Sequence, residues 1–159
     1  MADYFLDASA LVKYYFEEPG SDWVGQLIDD WDEAKGAAVN KIHVGNVSVV
    51  EVPAAIAILH RNRHLSQRGR DKAVSAFLYD FSSIYKVSRF TSDVLLQAVR
   101  LTQQYPLKAY DAVQLAIGLA VNEVCQSQAV QLTFVSSDRQ LLAAARAEGL
   151  LVEDPHDHL

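Results

Sequence analysis

The sequence predicts an α/β domain built on a mainly parallel sheet. Two observations carry this. Short apolar runs that read as strands alternate with longer stretches of helical periodicity, the pattern of strand–helix–strand units. Two acids, Asp7 in FLDASAL and Asp138 in FVSSDRQLL, follow such runs directly. They fall where parallel sheets bind their ligands, outside the carboxyl ends of the strands.

Each element has its own signal. Residues 3–6 read as the first strand, and ASALV opens a helix that should stop near Glu18-Pro19-Gly20, because proline and glycine do not continue it. Ser21 reads as the N-cap of a second helix with Trp23, Leu27 and Ile28 on its apolar stripe. Residues 41–47 are a weak strand. Helical patterns follow over 49–62 and 66–83. Residues 84–87 read as a short strand, and Thr91 or Ser92 caps a helix running to about Gln104. Pro106 breaks the chain before a helix over about 108–124. Leu132-Thr133-Phe134-Val135 is a clear strand, and Ser136-Ser137-Asp138 opens a helix ending near Gly149. Leu151 and Val152 form a last edge strand.

The chain has 159 residues, enough for one hydrophobic core, so one domain over 1–159 is expected. Twenty acids against 14 bases give a formal net charge of −6, which argues against a protein that coats nucleic acid without sequence preference. It leaves room for an enzyme whose acids gather around a cation. The single cysteine, Cys125, excludes a disulfide framework and a zinc site built on cysteines. No apolar run approaches the length of a membrane span and no leader pattern opens the chain, so a cytoplasmic location is expected.

Most acids sit in polar company, as in Asp29-Asp30-Trp31-Asp32-Glu33, and read as solvated. Four have apolar or small neighbours: Asp7, Glu51 in VSVVEVPAAIA, Asp111 in AYDAVQLAIGLA, and Asp138. Each has a structural explanation. Asp7 and Asp138 suit helix N-termini, Ser48-Val49-Val50-Glu51 matches a capping box, and Asp111 lies in a first helical turn. The set is harder to explain that way. Carboxylates brought to one end of a sheet repel and take up protons unless cations hold them. Oxygen-only ligands select hard ions such as Mg²⁺ or Mn²⁺, and such sites serve phosphoryl chemistry.

FLDASALVKYYFEEPGS, VSVVEVPAAI, YDAVQLAIGLA and FVSSDRQLLAAARAEGL, in that order, resemble the successive motifs of PIN-domain ribonucleases, most closely the VapC toxins of toxin–antitoxin pairs. The resemblance spans nearly the whole chain. It implies a PIN-like, flavodoxin-like three-layer sandwich and an Mg²⁺- or Mn²⁺-dependent endoribonuclease that leaves 5′-phosphate and 3′-hydroxyl ends. It also implies an RNA substrate, a cognate antitoxin and a homodimer. Asp7, Glu51, Asp111 and Asp138 are then the catalytic, metal-holding set, with the Ser9 hydroxyl steadying Asp7 or a bound water. The chain departs from the pattern at Pro53, inside the expected helix of Glu51, and at Gln140, where many members carry a further acid.

HRNRHLSQRGRDK, residues 60–72, holds five of the 14 bases. It reads as a solvated corner, or as RNA phosphate contacts through Arg61, Arg63, Arg68 and Arg70. His60 and His64 have the i, i+4 spacing of a helical chelate but lack the glutamate of the zinc-protease pattern. His156 and His158 lie in a polar tail, and Tyr14-Tyr15-Phe16 with Trp23 suit a core or a groove for a partner helix. Two other readings remain. One is a catalytically weak PIN-like module that binds RNA or protein. The other is a haloacid-dehalogenase-type phosphatase, which needs an acid where Ser9 stands.

Overall fold

Phe5 and Leu6 are both fully buried although neighbours in a strand point to opposite faces. A strand buried on both faces belongs at the centre of a covered sheet. In the computed structural model, which describes residues 2–158, that strand is β1 (Asp3–Leu6). The end residues of the expected 1–159 domain lie outside the described residues. β1 pairs in parallel with β4 (Lys41–Gly45) on one side and β6 (Leu132–Val135) on the other. β5 (Lys86–Ser88) extends the sheet beyond β4, and β7 (Leu151–Glu153) beyond β6, giving the order β5-β4-β1-β6-β7.

That order fixes the layers. The chain moves outward from β1 to β4 to β5, returns to β6, and then moves outward the other way. Right-handed crossovers in opposite directions put their helices on opposite faces. α1 (Ala8–Tyr15), α2 (Ser21–Asp29), α3 (Ser48–Arg61) and α4 (Gln67–Ser83) cover one face, where Leu6, Val44 and Val135 meet Leu11, Ile56 and Phe77. α5 (Ser92–Gln104), α6 (Ala109–Ser127) and α7 (Arg139–Ala147) cover the other, where Phe5 and Phe134 stack at 5.3 Å beneath Leu115, Ile117 and Leu141. Gly118 lets α6 lie close to the sheet, because a Cβ there would meet the Phe134 ring at 2.8 Å. The expected three-layer α/β architecture is observed.

Several boundaries differ from the sequence reading. α1 ends at Tyr15, well before Pro19. Ser21 is not an N-cap: its hydroxyl donates to the Lys13 carbonyl at 2.7 Å and accepts from Glu18 N, fastening the turn after α1. Gly20 caps α2 instead, with φ of 90°, and a Cβ there would strike Pro155. Trp23 leaves the apolar stripe of α2 to stack on His158 at 4.1 Å, and Val24 takes the buried position. Ile84 N and Tyr85 N both bond the Asp80 carbonyl, so these residues finish α4 rather than start β5. A small hairpin of β2 (Trp31–Asp32) and β3 (Ala37–Ala38) was not legible in the polar stretch that holds it. Among the described residues no helix is long and apolar enough to cross a membrane.

Candidate active site

Asp7 leaves the end of β1 and becomes the N-cap of α1, accepting from Ala10 N at 2.9 Å through Oδ1. Ser9 Oγ donates to the same oxygen at 2.7 Å, and Ser136 Oγ donates to Oδ2 at 2.7 Å. Ser136 comes from the end of β6, the next strand, so two adjacent strand ends are joined through one carboxylate. Ser137 N donates to Ser9 Oγ and Asp138 N to Ser136 Oγ, which tie the β6–α7 turn to the same network. Asp138 is the N-cap of α7, and its Oδ1 accepts from Gln140 N and Leu141 N.

Glu51 and Asp111 arrive on helices. Glu51 lies in the first turn of α3 and Asp111 in the first turn of α6. The expected capping box does not form. Val47 is the N-cap of α3, and the buried Ser48 hydroxyl instead accepts from Gln114 Nε2 at 2.9 Å. Gln114, one turn after Asp111 on α6, also donates to Glu51 Oε2 at 2.5 Å. Pro53 sits inside α3 without ending it. Its missing N–H removes a single early helical bond.

The four acids share one electrostatic field. Asp7, only 4% exposed, has its pKa pushed up to about 6, chiefly by burial and further by Asp111, against the pull of its three donors. Burial pushes Glu51 up to about 7, and the charges of Asp7 and Asp111 add to it, while Gln114 opposes. Asp111 is raised by burial and then by Asp138, with Lys108 opposing. Among the described residues, no three of these carboxylates bring an oxygen each within 4.8 Å of one another. The cluster is therefore wider than the inner sphere of one bare ion. It suits an ion that keeps several waters and takes few carboxylates directly, as Mg²⁺ does.

The PIN domain family model matches residues 4–147. The chain belongs to the PIN-domain family. Ribonuclease VapC45 of Mycobacterium tuberculosis is 31% identical over 148 residues, covering 93% of this chain and 92% of that protein. The VapBC2 structure from Rickettsia felis, described as bound to a DNA fragment from their promoter, superposes with a TM-score of 0.60 at 14% identity, covering 96% of this chain and 98% of that one. M. tuberculosis VapC20, described as a sarcin-ricin loop cleaving toxin, gives 0.58 at 16% identity, covering 93% and 96%. The chain is thus a VapC-type member of the PIN family.

In this PIN domain the basic segment stands apart from the acids. α3 begins beside Glu51 and ends at Arg61, about 15 Å further along its axis. Arg61, Arg63 and Arg68 are exposed at the α3–α4 corner, and Arg70 pairs with Asp71 at 2.8 Å. His60 and His64 do not share a helical face, because α3 ends between them and His60 Nδ1 lies 2.9 Å from the Leu65 carbonyl. Lys13, near Asp7 in sequence, is buried and pairs with Glu18 at 3.0 Å. Sequence reasoning missed Gln114 and Ser136 as parts of the site. Gln114 had a signal: it is a polar residue in the same apolar helix that made Asp111 conspicuous. Ser136 had none beyond its place at a strand end.

Proposed function

We propose that this protein is a divalent-metal-dependent endoribonuclease and the toxin of a toxin–antitoxin pair. The observation that carries this is the set of mutually felt acids, Asp7 and Asp138 after β1 and β6 with Glu51 and Asp111 in the first turns of α3 and α6, two of them with pKa values lifted to about 6 and 7. The residues fit a hard cation. Their donors are all oxygen, and the burial and repulsion that raise Asp7 and Glu51 are what a positive charge relieves. A bound Mg²⁺ or Mn²⁺ supplies Lewis acidity, which activates water and offsets charge on the phosphate.

The chain's own groups do the rest. Asp7, Glu51 and Asp111 would hold the cation, in part through its waters, with Asp138 assisting. Ser9 and Ser136 fix both Asp7 oxygens, and Gln114 fixes Glu51. In the proposed reaction a water oxygen bonds to phosphorus as the 3′ oxygen–phosphorus bond breaks, and the departing 3′ oxygen takes up a proton, leaving 5′-phosphate and 3′-hydroxyl ends. The name of the M. tuberculosis relative at 31% identity, a ribonuclease, supports the substrate class. Arg61, Arg63, Arg68 and Arg70 serve as outlying phosphate contacts for an RNA long enough to reach beyond the acids. The antitoxin is expected over the cleft between α1 and α2, where half-buried Tyr14 stands among Glu17, Asp22 and Asp29 and favours a basic partner segment. The exposed apolar side chains of α5, Leu95, Leu96 and Val99, are the proposed homodimer face.

Incubation of purified protein with structured RNA tests the activity. Cleavage is expected with Mg²⁺ or Mn²⁺, with 5′-phosphate ends, and is abolished by chelation and by Asp7→Asn. Cleavage that survives in chelator, or that Asp7→Asn leaves intact, contradicts the proposal.

A further inference from the structure

At the opposite end of the sheet three different metal-ligating side chains meet. Asp3 opens β1, His43 lies on the neighbouring β4, and Cys125 stands in the last turns of α6. One carboxylate oxygen links them: Asp3 Oδ2 lies 2.8 Å from His43 Nε2, and Cys125 Sγ donates to it at 3.8 Å. The three donor atoms all lie within 4.8 Å of one another. Among the described residues this is the only trio of His, Cys, Asp or Glu so closely grouped. The three residues line a cleft of about 510 Å³, which Lys41, Lys86 and Arg89 also line.

We propose that Asp3, His43 and Cys125 form a second metal site, selective for Zn²⁺ or a similar borderline ion, with an open fourth position toward the cleft. Tetrahedral zinc with normal bond lengths sets its N and O ligands about 3.3 Å apart and its S and O ligands about 3.6 Å apart. The observed 2.8 and 3.8 Å separations reach those values with shifts of a few tenths of an ångström. Sulfur and imidazole donors exclude the hard ions that suit the acid cluster. On loading, the thiol proton leaves to solvent, and the imidazole binds through Nε2 with its proton on Nδ1. The thiolate and carboxylate then cancel the ion's charge, so the loaded site is neutral, and Lys41, Lys86 and Arg89 favour the thiolate and an anion or water at the fourth position. Counting cysteines alone misses such a mixed set.

A cysteine nucleophile explains the trio less well. Sγ is hydrogen-bonded to the acid rather than to the imidazole, and burial followed by the Asp3 charge raises the thiol above its ordinary value. A nucleophile needs the reverse. The site is also separate from the acid cluster, since Asp3 and Asp7 stand at opposite ends of β1, about 13 Å apart.

Chelator-stripped full-length protein titrated with Co²⁺ tests the proposal. A thiolate-to-cobalt charge-transfer band and tetrahedral visible absorption are expected to saturate at one thiolate-bound Co²⁺ per chain, apart from any Co²⁺ taken up by the acid cluster, and both are removed by one equivalent of Zn²⁺. Cys125→Ala should abolish the charge-transfer band, and His43→Gln and Asp3→Asn should each weaken Co²⁺ binding at least tenfold, with circular dichroism checking the fold of all three. Asp7→Asn and the double variant His156→Gln/His158→Gln should keep both spectral features. Absence of the charge-transfer band, its persistence at full affinity in both His43→Gln and Asp3→Asn, or its loss in the tail double variant would overturn the assignment.

Discussion

Asp7 answers two demands with one side chain. It caps α1 through Ala10 N and presents a buried carboxylate that three donors hold but do not neutralise. Its raised value, about 6 against an ordinary 3.8, and that of Glu51, about 7 against 4.5, have a definite consequence for stability. Between roughly pH 4 and pH 7 the folded, metal-free protein holds protons that the unfolded chain has released. Stability therefore falls as pH rises through that window, and the loss is complete above the folded values. For Asp7 it amounts to roughly 2–3 kcal/mol. Asp7→Asn should raise the melting temperature of the metal-free protein at pH 8 by about 5 °C and change it little at pH 4. Millimolar Mg²⁺ or Mn²⁺ should stabilise the parent but not the variant. Thermal scans at both pH values, with and without metal, read this out. Asp7 and Asp138 stood out in the sequence because a charge directly after an apolar strand is conspicuous. Gln114 and Ser136 did not, because nothing in a linear sequence says which buried polar side chains will face a carboxylate from another element.

At the scale of elements, each acid is delivered by a strand end or a first helical turn, and the question is whether it caps or also acts. Asp138 is the clearest case, since both backbone donors land on Oδ1. Asp138→Ala should lower stability by about 1 kcal/mol through the lost cap, whereas Asp138→Ser keeps a capping oxygen and should cost a few tenths at most. If the carboxylate assists the metal, RNA cleavage falls alike in both variants. Activity that survives in Asp138→Ser would make it a cap alone. The long, periodic elements were legible in the sequence, and β1 and β6 appear at the expected residues. Boundaries failed where a side chain served a neighbouring element. Ser21 fastens the end of α1 instead of starting α2, and Ser48 bonds Gln114 on α6 instead of capping α3. Both are tertiary bonds between segments that local propensity treats separately.

At the scale of the whole molecule, a net charge of −6 sits on a protein proposed to bind RNA, with exposed Arg61, Arg63, Arg68 and Lys72 at the α3–α4 corner, other exposed bases spread over the surface, and the four candidate acids apart from that corner. Bound cations would reverse the sign of the field where the phosphate must approach. The exposed apolar row on α5, with Leu96 at 70%, favours pairing of two copies. Leu96→Glu should shift the elution of the purified chain from dimer to monomer without lowering its melting temperature by more than a few degrees. An unchanged elution volume would place the interface elsewhere. Four acids forming one cation site should bind that ion in a pH-dependent way. Calorimetric titration of Mn²⁺ into the chelator-stripped protein at pH 7.5 and pH 5.5 tests it most directly. Binding is expected at pH 7.5, weaker by at least tenfold at pH 5.5, where Asp7 and Glu51 take up protons, and absent in Asp7→Asn. Binding of equal strength at both pH values, or retained in full by Asp7→Asn, would contradict it.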